Sequence, residues 1–196
     1  MENIKELKYK IIFSDLDKTL LINNHIPDFN IEAIKKAREL GVKFVISTGR
    51  DFPLVTHLLK EINTFNLENE YTVCCSGSKI YENKDNKTIY IKYLSPEIVA
   101  EIFEYGKKYE KMFTIFDTSN GVYVYNEKLI DLKDDFGTYK YNPMEKLEDM
   151  KDLKIIRVIF SCKNGEYLNN ILTEIKDKKL FDNKVDYFLT QNQFLE

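Results

Sequence analysis

The sequence has few cysteines and no long apolar run, and each shortage excludes a class of protein. Its three cysteines are too few for the disulfide framework of a secreted protein, and none stands in a CxxC pair, so we interpret them as buried thiols. No apolar stretch approaches the ~20 residues that span a bilayer. The opening segment, MENIKELKYK, contains no apolar run that resembles a signal peptide. We therefore expect a cytoplasmic protein with no membrane partner.

The charge balance argues against a nucleic-acid-binding protein. The net charge of −3 does not suggest a nucleic-acid binder, because such proteins usually carry a basic face. A hydrophobic fraction of 43% in 196 residues is enough for a packed core, in one domain or two small ones. The two histidines, His25 and His57, are isolated in the sequence, so we interpret them as surface or hydrogen-bonded residues rather than metal ligands.

Hydrophobic patterning in the first half alternates between strand and helix. Short β-branched and aromatic runs predict three buried strands, at 9–15, 43–50 and 71–81. The first of these should be buried on both faces. Between the strands, Asn30 is the predicted N-cap of one helix, Gly41 its end, and Pro53 the start of another. This alternation favours a parallel sheet with right-handed crossovers.

The rhythm changes after residue 83. A helix is predicted at 95–110 with Ser95 as its N-cap, and a β-hairpin is predicted around the SNG turn at 119–121. A short helical or irregular stretch should cover about 128–152, followed by a strand, a helix and two short strands. This order predicts a second α/β unit with antiparallel strands.

Two polar segments follow the first two predicted strands, DLDKT at 15–19 and STGR at 47–50. If the strand continues through both aspartates, Asp15 and Asp17 point the same way. Two carboxylates about 4 Å apart repel by roughly 4 kcal/mol at an effective dielectric near 20, so water, a cation or a proton must relieve the repulsion. Because ligands bind beyond the carboxyl ends of parallel strands, we expect both segments to lie at one edge of the sheet.

These residue types suit magnesium-dependent phosphoryl transfer. Mg²⁺ is usually held by one or two carboxylates and substrate phosphate. One aspartate can attack phosphorus, and a second can serve as general acid and then general base. A threonine hydroxyl, a glycine N–H and an arginine can bind phosphate oxygens. The alternative interpretations are a solvated turn with an Asx cap for DLDKT and an ordinary strand-to-helix turn for STGR.

The motifs DLDKTLL and STGR, with Ser-Gly beyond the third strand, resemble the haloacid-dehalogenase-like superfamily, and more closely its Cof-type phosphatases. The resemblance implies an α/β fold with a Rossmann-like parallel-sheet core, present in part, and an inserted α+β cap domain. It places the core in residues 1–83 and the cap in 84–196, and it implies that the cap closes over the site and selects the substrate. It also implies a Mg²⁺-dependent phosphatase of small phosphorylated metabolites that works through an aspartyl-phosphate.

The resemblance assigns roles within the first motif. Asp15 would be the nucleophile and a Mg²⁺ ligand. Asp17 would be the general acid and base, with its main-chain carbonyl also on the metal. Thr19 would orient the loop through hydrogen bonds. Lys18 stands where the family usually has glycine.

The resemblance also assigns roles to the second and third loops. Thr48 and Gly49 would bind the transferred phosphoryl group, and Arg50 would lie near the substrate. Ser76 and Gly77 stand beside the substrate, where the family usually shows Asn-Gly.

The family also places a lysine and an acidic Gly-Asp-x-x-x-Asp segment after the cap, whereas this chain ends at Glu196. We therefore expect the chain to be the front part of a longer protein. A sheet without its remaining strands would expose an apolar edge, so we also expect self-association. Three hypotheses remain open: the phosphatase, a catalytically impaired fragment or phosphate-binding module, and a phospho-acceptor regulatory domain that uses Asp15 as a switch.

Overall fold

The computed structural model describes residues 8–130, 140–190 and 192–196. Contacts divide the chain into two compact units, Met1–Lys92 and Tyr93–Glu196. The α/β class predicted from the sequence is confirmed. Part of the predicted irregular stretch, residues 131–139, lies outside the described residues. Within those residues, no helix is long and apolar enough to cross a bilayer.

The first unit is a five-stranded sheet with helices between its parallel strands. The elements in chain order are β1 (Ile11–Ser14), α1 (Asp28–Glu39), β2 (Lys43–Ser47), α2 (Thr56–Glu61), β3 (Tyr71–Cys74), β4 (Lys79–Glu82) and β5 (Lys87–Ile91). The strand order is β1-β2-β3-β4-β5. The pairs β1–β2 and β2–β3 are parallel, and β4 and β5 extend the sheet as antiparallel hairpin strands.

The boundary between the units follows from the β4–β5 hairpin. The predicted third strand, 71–81, is two strands separated by a turn at Cys75–Gly77. Strand β5 pairs along β4 and so belongs to the first sheet. The contacts therefore place the division after Lys92, later than the predicted boundary at residue 83.

Helix α1 begins earlier than the sequence predicted. The main-chain carbonyl of Pro27 accepts the N–H groups of Asn30 (2.9 Å) and Ile31 (3.0 Å), so the first helical residue is Asp28. The prediction that Asn30 is the N-cap is therefore wrong, since Asn30 already lies in the first turn. The predicted end at Gly41 agrees with the structure, where this residue has a φ of +87°, a conformation that suits glycine.

Strand β1 is not buried on both faces, and that prediction is wrong. Ile11 is 45% exposed, Ile12 40% and Phe13 59%. The reason is its position in the sheet, because β1 is an edge strand of the described sheet and only β2 flanks it. The buried strand of this unit is β2, where Ile46 is fully buried.

The second unit is a six-stranded sheet with helices on one face. Its elements are α3 (Pro96–Gly106), β6 (Phe113–Thr118), β7 (Gly121–Tyr125), β8 (Asn142–Met144), β9 (Ile155–Ser161), α4 (Gly165–Asp177), β10 (Leu189–Thr190) and β11 (Phe194–Leu195). The strand order is β10-β11-β9-β6-β7-β8, antiparallel except for the parallel pair β7–β8. The largest apolar core lies where α3 and α4 pack on β6 and β9. Ser95 caps α3, as predicted, by accepting the Ile98 N–H at 3.4 Å.

The exposed β1 edge generates a prediction about self-association. Ile11→Lys places a charge on the edge strand and should oppose strand pairing between copies. We expect the sedimentation coefficient of the unmodified chain to rise with concentration and that of Ile11→Lys to rise less. Leu67→Lys is the matched control, because Leu67 is 44% exposed but lies outside the helices and strands. A monomeric unmodified chain at all concentrations, or an equal effect of both variants, would contradict this expectation.

Candidate functional site

Three loops leave the same edge of the first sheet. In the parallel register, Ser14 pairs with Ile46 and Ser47 pairs with Val73, so β1, β2 and β3 end side by side. The segment from Asp15 follows β1, the segment from Thr48 follows β2, and the turn at Cys75–Gly77 follows β3. Topology therefore gathers the three predicted motifs at one edge.

The loop after β1 is built around a buried leucine. Leu16 is fully buried, and its carbonyl accepts the N–H groups of Thr19 (3.2 Å), Leu20 (3.0 Å) and Leu21 (3.0 Å). This turn requires a left-handed residue at Lys18, which has a φ of 63°. Glycine adopts that conformation without steric cost, which explains physically why the resemblance leads one to expect a glycine at position 18. Lysine accepts the same backbone here.

The two aspartates lie beyond β1 and have different partners. Asp15 Oδ2 accepts the Thr19 hydroxyl at 2.8 Å. The Asp17 carboxylate binds the Arg50 guanidinium through two hydrogen bonds, from Nε to Oδ2 at 3.1 Å and from Nη2 to Oδ1 at 2.7 Å. Arg50 Nη2 also donates to Asn24 Oδ1 at 3.1 Å. The negative charge of Asp17 is therefore balanced by an arginine of the second loop, which joins the loops after β1 and β2.

The loops after β2 and β3 are joined through their main chains. The Thr48 N–H donates to the Val73 carbonyl at 3.0 Å, and the Thr48 carbonyl accepts the Ser76 N–H at 3.1 Å. The Arg50 carbonyl accepts the Cys75 N–H at 3.1 Å. Thr48 itself is 4% exposed, and its Oγ1 accepts the Arg50 N–H at 3.2 Å. The main-chain N–H and the main-chain carbonyl of Arg50 are therefore both hydrogen-bonded, which holds its backbone in place.

The turn after β3 has an unusual backbone. Cys75, Ser76 and Gly77 have φ values of 50°, 53° and 93°, so three successive residues are left-handed. Ser76 and Gly77 are exposed at the edge of the sheet, next to the Thr48 main chain that Ser76 contacts. The predicted third-loop residues thus lie beside the second loop, and Gly49 lies in sequence between Thr48 and Arg50, whose carbonyls accept N–H groups of the third loop.

A cluster at this edge was not predicted. Asp51 accepts hydrogen bonds from the Phe52 N–H (2.9 Å), Lys79 Nζ (2.9 Å) and the Tyr81 hydroxyl (3.2 Å). Lys79 and Tyr81 are two residues apart on β4 and so lie on the same face of the strand. This spacing is the sequence feature from which a shared contact could have been predicted. No local pattern predicts that Asp51 contacts these two side chains.

This cluster shifts three pKa values. Burial by itself raises the pKa of Asp51, but the Lys79 hydrogen bond and charge and the Phe52 N–H outweigh burial and lower it. Burial lowers the pKa of Lys79, yet the Asp51 hydrogen bond and the nearby Cys75 and Asp51 groups raise it above its usual value. Burial and the Asp51 charge raise the pKa of Tyr81 to about 12. At neutral pH, Asp51 and Lys79 form an ion pair.

The described residues offer a small set of metal ligands. Within them, no group of three or more His, Cys, Asp and Glu side chains comes together. Asp15 is exposed and accepts the Thr19 hydroxyl at one oxygen, whereas Asp17 is engaged by Arg50 through both oxygens. Because Mg²⁺ keeps several waters and needs only one or two protein carboxylates, a site centred on Asp15 fits its chemistry.

Comparisons with known proteins identify the family whose model this chain matches. Residues 12–196 match a family model described as haloacid dehalogenase-like hydrolase. The Bacillus subtilis protein named "Putative phosphatase YxeH" is 26% identical over 171 residues. That alignment covers 85% of this chain and 62% of the relative, so this chain spans less than two thirds of the relative's length.

Solved structures show the same fold. The "putative HAD/COF-like hydrolase from Plasmodium vivax" superposes with a TM-score of 0.73 at 22% identity, covering 98% of this chain and 69% of that one. The HAD subclass IIB sugar phosphatase BT4131 superposes with a TM-score of 0.68 at 18% identity, covering 95% and 68%. At these identities the superpositions establish the fold alone.

The Asp17–Arg50 pair can be tested by a double-mutant cycle in urea unfolding. We expect Asp17→Asn and Arg50→Gln to show a coupling free energy of about 1 kcal/mol, because two charge-assisted hydrogen bonds form in a partly buried place. The control cycle uses Lys35 and Glu39, an exposed pair 4.0 Å apart, which should couple by less than about 0.5 kcal/mol. Equal coupling in both cycles would contradict the structural role of Arg50.

Asp51 predicts a pH dependence of stability. Because folding lowers its pKa, its contribution is complete above the unfolded pKa and is lost as pH falls through the folded pKa. Asp51→Asn should therefore lose less unfolding free energy than the unmodified chain between about pH 5 and pH 2. In a Lys79→Met background, where the lowering partner is absent, the difference should shrink. Parallel curves for the unmodified chain and Asp51→Asn would refute the shift.

Proposed function

Because the chain belongs to the haloacid dehalogenase-like hydrolase family, we propose that it takes part in the Mg²⁺-dependent hydrolysis of phosphate monoesters of small metabolites, with Asp15 as nucleophile. The observation that carries this proposal is the bidentate Asp17–Arg50 pair, which fixes the loop after β1 to the loop after β2. Exposed Asp15 then stands at the same sheet edge as Thr48 and the third-loop turn.

Asp15 is suited to attack phosphorus. Its Oδ2 is held by the Thr19 hydroxyl, which orients the carboxylate toward solvent at the open edge. In the first step an Asp15 oxygen forms a bond to phosphorus while the bond from phosphorus to the ester oxygen breaks. In the second step a water oxygen attacks the phosphorus of the aspartyl-phosphate, inorganic phosphate leaves, and the Asp15 carboxylate is restored.

Asp17 is suited to move the protons of both steps. In its protonated form Asp17 donates a proton to the departing ester oxygen, and the carboxylate left behind then accepts a proton from the attacking water. Arg50 occupies one lone pair on each carboxylate oxygen, so the remaining lone pairs are available to carry the proton. Arg50 thus orients Asp17, and Asn24 accepts a further hydrogen bond from the Arg50 guanidinium.

We assign phosphate binding to the loops after β2 and β3. The Thr48 oxygen accepts the Arg50 N–H, so the Thr48 hydroxyl proton can donate to a phosphoryl oxygen. Gly49, Ser76 and Gly77 border that position and present little side-chain bulk to an entering phosphate.

Bound Mg²⁺ would supply charge that offsets the phosphate and so favours attack by an anionic carboxylate. The residues that would hold it are Asp15, through its carboxylate, and Asp17, through its main-chain carbonyl, because the Asp17 carboxylate is paired with Arg50.

The names of similar proteins suggest a substrate class for this chain. One relative is named "Putative phosphatase YxeH", and one structural neighbour is described as a sugar phosphatase. A phosphorylated sugar or similar small metabolite is therefore the substrate class that we propose. A second candidate is a phosphate-binding module without turnover, favoured by the absence of a third acidic ligand near Asp15 among the described residues.

The test is hydrolysis of an aryl phosphate and of a sugar phosphate, with and without Mg²⁺. We expect turnover that needs Mg²⁺ and falls at least about 10³-fold in Asp15→Asn, because the nucleophile is removed. Asp152→Asn is the control, since it makes the same chemical change at an exposed position of the second unit. Equal rates in Asp15→Asn and the unmodified chain would refute the phosphatase. Phosphate binding seen by ³¹P NMR without turnover would support the second candidate.

A further inference from the structure

Arg50 needs a fixed main chain to reach Asp17, and the structure holds its neighbour firmly. Asp51 follows Arg50 directly and accepts three hydrogen bonds, two of them from Lys79 and Tyr81 of β4. The Lys79 side chain is only 12% exposed and that of Asp51 37%, so the pair is largely shielded from water. The Phe52 ring lies 4.7 Å from the Tyr81 ring and closes the cluster on one side.

The same segment is held through its main chain. The Arg50 carbonyl accepts the Cys75 N–H, and the Arg50 N–H donates to Thr48 Oγ1. Strand β4, which carries Lys79, pairs with β3 in the register Cys74–Lys79. The Asp51 contacts therefore attach the second loop to the strand pair that also carries the third loop.

We propose that Asp51 is a positioning residue that, held by Lys79 and Tyr81, keeps the Arg50 guanidinium on the Asp17 carboxylate. A partly buried ion pair is weak evidence for a stabilising role, because apolar replacements of similar volume often match its stability. Such a pair can still orient its neighbours. If Asp51 loses its charge, its bond to Lys79 weakens and the adjacent Arg50 side chain can change direction. Asp51 acts through Arg50 and Asp17 and need not touch the substrate.

The structural part of this inference is independent of catalysis, and only its effect on turnover rests on the proposed function. The chain has three arginines, Arg38, Arg50 and Arg157, so the Arg50 Nε–H signal is readily resolved in a ¹⁵N NMR spectrum. The signal is assigned by its loss in Arg50→Lys. Its exchange with water reports whether the bond to Asp17 Oδ2 persists.

The variants are Asp51→Asn and Lys79→Met, with Glu70→Gln as control. Asn keeps the size of Asp and an oxygen for the Phe52 N–H, and Met keeps the apolar stem of Lys79. Glu70 pairs with Arg38 at 3.1 Å in the same unit and has no bond to the Arg50 cluster, so Glu70→Gln breaks a comparably shielded ion pair elsewhere. Tyr81→Phe, which removes a single hydroxyl, serves if either main variant fails to fold.

We expect water exchange of the Arg50 Nε–H to rise about tenfold in Asp51→Asn and Lys79→Met, equivalent to about 1.4 kcal/mol, and to stay unchanged in Glu70→Gln. In an active protein, kcat should fall about tenfold in the same variants with KM within about twofold, because Asp17 is misoriented while phosphate binding is kept. An unchanged Arg50 signal in both variants would overturn the inference. A changed signal in a protein without turnover would support it and count against the proposed function alone.

Discussion

The arrangement at the sheet edge depends on one ion pair, between Asp17 and Arg50. Two hydrogen bonds of 2.7 and 3.1 Å join side chains that lie 33 residues apart in sequence. They balance one of two neighbouring acidic charges, while the other, Asp15, is exposed and accepts a hydrogen bond from the Thr19 hydroxyl. Two adjacent carboxylates thereby acquire different surroundings, which is what separate roles as nucleophile and proton carrier require.

The parallel sheet makes this pair possible. Strands β1, β2 and β3 end in register, so each following loop begins within reach of its neighbour. The buried Leu16 side chain and its carbonyl fold the first loop, and Thr48 binds the second loop to the third. Asp51 then joins the second loop to β4. The candidate site is thus supported by main-chain bonds as well as by side-chain charges.

Local patterns predicted most elements, because strand and helix periodicity, the glycine at Gly41 and the cap at Ser95 depend on neighbours in sequence. Features set by distant contacts were not predictable in the same way. The exposure of Phe13 follows from what flanks β1, and the start of α1 follows from the Pro27 carbonyl. Likewise, the motifs indicated which loops meet, but they did not indicate that the Arg50 guanidinium would donate its hydrogen bonds to Asp17 and Asn24.

The central claim is that Asp15 receives the phosphoryl group at this edge. Its most direct test is peptide mass spectrometry of protein mixed with a phosphorylated substrate and Mg²⁺ and quenched in acid within milliseconds to seconds. The account predicts one added phosphoryl group on the peptide that contains Asp15, absent after longer incubation. Phosphoryl transfer to another residue, or hydrolysis that proceeds with no labelled Asp15 at any quench time, would contradict it.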